Sequence, residues 1–102
     1  MEGIPEGEIR DNDVILSKSP STQSHPGTRQ YRQEGLEKLT LPRGWGWRKR
    51  AAEDVVASGR GRGARFLKEE EHRPGFYYDV GDEEAKKCAD TMMRNFAYEE
   101  NK

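Results

Sequence analysis

The sequence is poor in the residues that build a large interior. Only 31% of its 102 residues are apolar and 36% are charged; mean hydropathy is −1.16. Such a chain lies near the limit at which burial can offset chain entropy. A single small core with disordered ends is therefore expected. No apolar run approaches the ~20 residues that cross a bilayer. The acidic start, Met-Glu-Gly-Ile-Pro-Glu-Gly-Glu, lacks the apolar stretch of a secretory leader. These absences predict an intracellular protein, nuclear or cytoplasmic, with no membrane partner. Cysteine is nearly absent too. One Cys, Cys88, excludes an intramolecular disulfide and is compatible with a reducing compartment. Neither Cys-x-x-Cys nor His-x-x-x-His spacing occurs, so no metal site and no cofactor are expected.

What the chain has in quantity is charge, and that charge is segregated. The net of −1 divides into −4 over residues 1–13, +2 over 14–42, +6 over 43–68 and −5 over 69–102. A basic block between acidic ones can meet an anionic partner, or the flanks can neutralise it within the fold.

The most legible stretch runs from Gly63 to Asp82. Phe66 and its neighbours read as one strand and Phe76–Val80 as a second, with a turn over Glu69–Gly75 that includes Pro74-Gly75. Alternation places Phe76, Tyr78 and Val80 on one face, with Phe66 as their partner. Gly81 ends the strand and Asp82 is placed to cap a helix over 82–98. That helix carries Ala85, Cys88, Ala89, Met92, Met93 and Phe96 on one face, at helical spacing. Upstream, Asp13–Leu16 reads as a strand and 17–27 as a loop. Thr28 is expected to cap a helix over 29–39, and a second helix covers 47–58, with Ala51, Ala52, Val55 and Val56 facing the core. Ser58–Gly63 then reads as a flexible basic connection. The predicted class is α+β: one small domain, strand–helix–helix–β-hairpin–helix, with a short antiparallel sheet of three strands covered by helices. Residues 1–11 are expected to be a disordered tail, 12–98 the domain, and 99–102 a frayed end.

Several pieces together resemble a domain of unknown function abundant in diatom and related algal proteins. They are Asn12-Asp13-Val14-Ile15-Leu16, His25-Pro26-Gly27, Tyr31-Arg32, Arg65-Phe66-Leu67 and Tyr77-Tyr78-Asp79-Val80-Gly81-Asp82, with Ala85 after them. The resemblance spans about residues 12–96. It implies the fold, and a family loop site over Asn12, Asp13, Lys18, His25, Gly27 and Arg32. A Gly-Arg-Gly-Gly loop typical of that domain stands here as Ser17-Lys18-Ser19-Pro20. The chain therefore reads as a divergent member that keeps one positive charge there but not the glycine backbone freedom for holding an anion. No activity follows from the resemblance.

The main functional candidate is the basic middle, where Arg43, Arg48, Lys49, Arg50, Arg60 and Arg62 interleave with Trp45 and Trp47. Nucleic-acid binders use cations against phosphates and aromatic faces against unpaired bases. The expected function is a nucleic-acid-associated module, in particular a DNA-binding regulatory one; the alternative is a protein–protein interaction module without catalysis. A solvated charged surface, with the tryptophans filling a thin core, accounts for the same residues. His25 lacks converging ligands and is expected to close its loop by hydrogen bonding. Cys88 reads as a small core residue rather than a nucleophile. Glu69, Glu70 and Glu71 read as solvated acids. No set of residues fills the roles that an enzyme site needs, so a non-enzymatic protein is predicted. One spatial fact divides the two functional readings: whether the cations share a continuous surface or lie among carboxylates.

Overall fold

A computed structural model of the chain describes residues 3–16 and 24–100. The hairpin of β3 (Phe66–Glu70) and β4 (Arg73–Asp79) forms the centre of the sheet. Leu67 lies opposite Asp79, Lys68 opposite Tyr78 and Glu69 opposite Tyr77, with a register shift between Glu69 and Glu70. The chain reverses at Glu71-His72 rather than at Pro74-Gly75, which lie within β4. Gly75 takes φ +87° there, and its amide donates to the Glu69 carboxylate at 2.9 Å.

Two further strands flank the hairpin. On one edge β1 (Ile4–Pro5) runs antiparallel to β4, Ile4 opposite Tyr77. Residues 4–8 thus form β1 and a 3₁₀ turn at Glu6–Glu8 within the segment read as a tail. On the other edge β2 (Val14–Ile15) pairs parallel to β3, Val14 opposite Phe66. The order is β1-β4-β3-β2. The sheet is therefore mixed and four-stranded, where a three-stranded antiparallel one was expected. Parallel neighbours need a long crossover, and the chain between β2 and β3 carries two helices.

Those helices are α1 (Pro26–Lys38) and α2 (Trp47–Gly61). Pro26 opens α1, where a missing N–H costs nothing. Thr28 does not cap the helix: its hydroxyl accepts the Ile15 amide at 2.9 Å and ties α1 to β2. Helix α2 begins where expected, after Gly46 at φ +72°, but runs three residues further, to Gly61. Gly59 lets α2 approach the sheet, because a Cβ there would come within 2.8 Å of the Phe66 ring. The third helix, α3 (Gly81–Glu100), follows β4 directly. Asp79, not Asp82, receives the Gly81 amide at its start, at 2.9 Å.

The main core lies between the sheet and the helices. It joins Val14 and Phe66 to Tyr31, Ala52, Val55, Val56, Ala85 and Ala89. Tyr31 meets Phe66 edge-on, ring centres 5.8 Å apart. The opposite face of the sheet has a second, smaller cluster: Ile15, Leu67 and Tyr77, covered by Ile4 and Ile9. The sheet is thus packed on both faces. Alternation was read correctly, but the buried tyrosine of β4 is Tyr77, on the far face, while Tyr78 is exposed. On α3 the buried line is Ala85, Ala89 and Met93. Cys88, Met92 and Phe96 are only half-buried.

Candidate interaction surface

The basic middle is mostly consumed by ion pairs. Arg60, in the last turn of α2, makes a two-pronged bond to Asp79 at 2.9 and 3.0 Å and a third to Asp82 at 2.8 Å. Its guanidinium also lies 5.1 Å from the Phe66 ring centre. The bonds to Asp79, above all, raise the Arg60 pKa. Those from Arg60 hold the Asp79 carboxyl below the usual carboxylate range, against the effect of burial. Arg62 pairs with Glu34 at 2.7 Å. Arg48 pairs with Asp90 at 2.8 Å, and Lys68 with Glu84 at 3.0 Å. Arg48 to Asp90 and Arg60 to Asp82 bind the two ends of α2 to α3, which run antiparallel. The flexible basic connection expected over 58–63 is a helix end held in place.

What remains is a corner at the start of α2. Trp45 is 98% exposed. Arg50 donates to the Trp45 carbonyl at 2.8 Å, which leaves its charge without a carboxylate among the described residues. Lys49 is exposed and has no ion pair among them. Arg43 stacks on the half-buried Trp47 ring at 5.5 Å. Leu41, just upstream, is 53% exposed. The eight proposed residues therefore divide. Arg43 with Trp47 and Arg50 with Trp45 are in contact, and Lys49 is exposed in the same stretch; Arg60 and Arg62 are at the far end of α2; Arg48 faces α3.

Four of the loop-site residues, Asn12, Asp13, His25 and Gly27, are held in the structure by Arg10, Arg62, Arg65 and one another. Asp13 is completely buried. Its carboxylate accepts from the Arg65 side chain at 2.7 and 3.2 Å, and from the amides of Arg10 at 2.8 Å and Arg65 at 3.2 Å. Burial alone would raise its pKa, but the bonds from Arg65 and the two amides prevail and hold it low. Asn12 donates to the Arg62 carbonyl at 2.7 Å, and His25 Nε2 donates to the Arg10 carbonyl at 2.9 Å. Gly27 is buried against the backbone of Asn12 and Asp13, and a Cβ there would overlap the Asp13 carbonyl oxygen. The His25 loop is thus closed by a hydrogen bond, as expected. Arg32 lies elsewhere, over the Phe96 ring at 5.2 Å. Lys18, with the rest of Ser17–Pro20, lies outside the described residues.

Sequence reasoning missed four acids: Asp79, Asp82, Asp90 and Glu34 are the partners of Arg60, Arg48 and Arg62. A signal was present, since the −5 of residues 69–102 nearly balances the +6 of 43–68. Among the described residues no three His, Cys, Asp or Glu side chains converge as a metal site requires. No described helix is long and apolar enough to cross a membrane.

The family described as a domain of unknown function, DUF6824, matches residues 13–95, and the chain belongs to it. No curated protein and no solved structure matches the chain.

Proposed function

We propose that the domain is a non-catalytic interaction module that docks an acidic protein segment on the corner formed by Leu41–Arg50. The observation that carries this is Trp45: an indole 98% exposed, its carbonyl held by Arg50, in a stretch that also exposes Leu41 and Lys49. Exposed tryptophan next to arginine is the composition of an interface anchor. Lys49 and Arg50 supply charge complementarity for an acidic segment. The pairing of Arg48, Arg60 and Arg62 with carboxylates supports this reading over nucleic acid, because tight phosphate binding draws on many available cations. Cys88 and His25 also favour binding over catalysis. Burial raises the Cys88 thiol pKa, and the His25 Nε2 is engaged by a carbonyl. An intracellular, nuclear or cytoplasmic, setting goes with a lone thiol.

Nucleic acid is the second reading, favoured by one observation: the exposed Trp45 face can stack an unpaired base beside Lys49 and Arg50. One experiment separates the two. Random peptides displayed on phage are selected on the protein, and the resulting consensus is titrated by fluorescence anisotropy beside labelled single-stranded and duplex DNA at two salt concentrations. An acidic consensus whose binding is lost in Trp45→Ala and in Lys49→Glu/Arg50→Glu is the expected result. DNA binding that weakens steeply with salt and is lost in the same variants would select the second reading. Absence of both at low salt would remove the corner as a binding surface.

A further inference from the structure

We propose that a cleft between β2, α1 and α3 binds a small apolar monocarboxylate, with Arg32 as its counter-ion. The cleft shares no lining residue with the Leu41–Arg50 corner, and the proposal does not depend on that reading. Its volume is about 270 Å³, and Ile15, Tyr31, Met92 and Phe96 give it apolar walls. Arg32 is half-buried at this wall, its guanidinium 5.2 Å from the Phe96 ring centre. Among the described residues it makes no ion pair and no side-chain hydrogen bond. That sets it apart from Arg48, Arg60, Arg62 and Arg65, each held by a carboxylate. A half-buried cation without a counter-ion loses hydration, which the face of the Phe96 ring offsets only in part. A ligand carboxylate would supply the missing partner in a planar, two-pronged geometry.

The walls fix the rest of the ligand. The volume equals roughly nine water-sized spaces at ~30 Å³ each, which suits a molecule of about ten non-hydrogen atoms. The aliphatic and aromatic walls accommodate an apolar body, while Thr28, Thr91 and Asn95 give the cleft a polar side. Glu99, exposed among the lining residues, repels each negative charge a ligand carries, so a monoanion is disfavoured less than a diacid. The Cys88 thiol also lines the cleft. Its pKa is raised by burial, so it stays protonated, and the ligand is held rather than attacked.

The test is an amide-shift NMR titration of the full chain with octanoate, using octanol as the neutral counterpart and acetate as the short one. Saturable octanoate shifts centred on Tyr31, Arg32, Met92 and Phe96, with Kd on the order of 0.1–1 mM for a ligand this small, are expected. Arg32→Gln should weaken octanoate at least about tenfold, the loss of one charge-assisted contact, and leave octanol unchanged. Met92→Trp, which fills the cleft, should abolish both while the thermal melt stays cooperative. No shifts at about 10 mM octanoate, shifts scattered over the surface, or octanoate binding unchanged in Arg32→Gln would each overturn the proposal.

Discussion

Replacing Asp13 with alanine tests the best-defined polar contact in the molecule. The carboxylate is fully buried and satisfies four donors on Arg10 and Arg65. Its removal orphans two backbone amides and leaves the Arg65 guanidinium with the Glu8 carbonyl at 3.2 Å and no carboxylate. Breaking a buried pair by deleting one partner costs about 3–5 kcal/mol. The Arg65 side chain is 27% exposed, so water can reach the abandoned cation, and the lower end, about 3 kcal/mol, is expected. For a domain of this size that is a fall in Tm of roughly 12–24 °C. The assay is thermal unfolding followed by far-UV circular dichroism, with Arg65→Ala and the double variant completing a cycle. Arg65→Ala strands the buried carboxylate instead, so the two single losses should exceed the double loss by at least about 1 kcal/mol. An Asp13→Ala melt within about 3 °C of the parent would refute the claim that this pair holds β2 and β3 in place.

Three other outcomes are expected. Gly27→Ala should destabilise by about 2 kcal/mol or more despite the better helix propensity of alanine, because the new methyl would strike the Asp13 carbonyl; chemical denaturation measures it, and a gain in stability would sink the packing argument. Phe66→Ala should cost about 3–5 kcal/mol, since the ring is fully buried, whereas half-buried Phe96→Ala should cost less than half as much; the ranking is read from urea midpoints. Stability should be level above about pH 5 and fall toward pH 2. Asp13 and Asp79 have folded pKa values below the usual range, so the unfolded chain takes up protons first, near pH 4. Asp13→Asn should flatten that acid limb in a Tm-against-pH series.

The elements that the sequence displayed were those whose signal is local. Helix α3 repeats small and apolar residues at helical spacing, and the hairpin alternates around its turn. Strand β1 carried no such signal: two residues, Ile4 and Pro5, pair with Tyr77 and Phe76 more than seventy positions away, inside an acidic stretch rich in Gly and Pro. The direction of β2 was hidden for a related reason. Alternation says that a segment is extended, not which way its neighbour runs. Glycine misled at the end of α2. Gly59 and Gly61 were read as breakers, but Gly59 is in the helix because the Phe66 ring leaves no room for a side chain.

Charge misled more than propensity did. A block of +6 counted along the chain looks like a binding surface, yet at least five of its cations reach acids outside the block. Arg48 goes to Asp90, Arg60 to Asp79 and Asp82, Arg62 to Glu34, Arg65 to Asp13, and Lys68 to Glu84. Segregation in sequence has become apposition in space, with α2 and β3 laid against α3 and β4. Several residues that carry the family resemblance are spent in the same way: Asp13 holds Arg65, Gly27 packs on the backbone of Asn12 and Asp13, and Asn12 and His25 donate to the carbonyls of Arg62 and Arg10. A signature so occupied specifies architecture. Among the described residues no carboxylate holds Lys49, Arg50 or Arg32; Arg50 donates to the Trp45 carbonyl and Arg32 lies over Phe96, and the two proposed recognition sites are built on these cations.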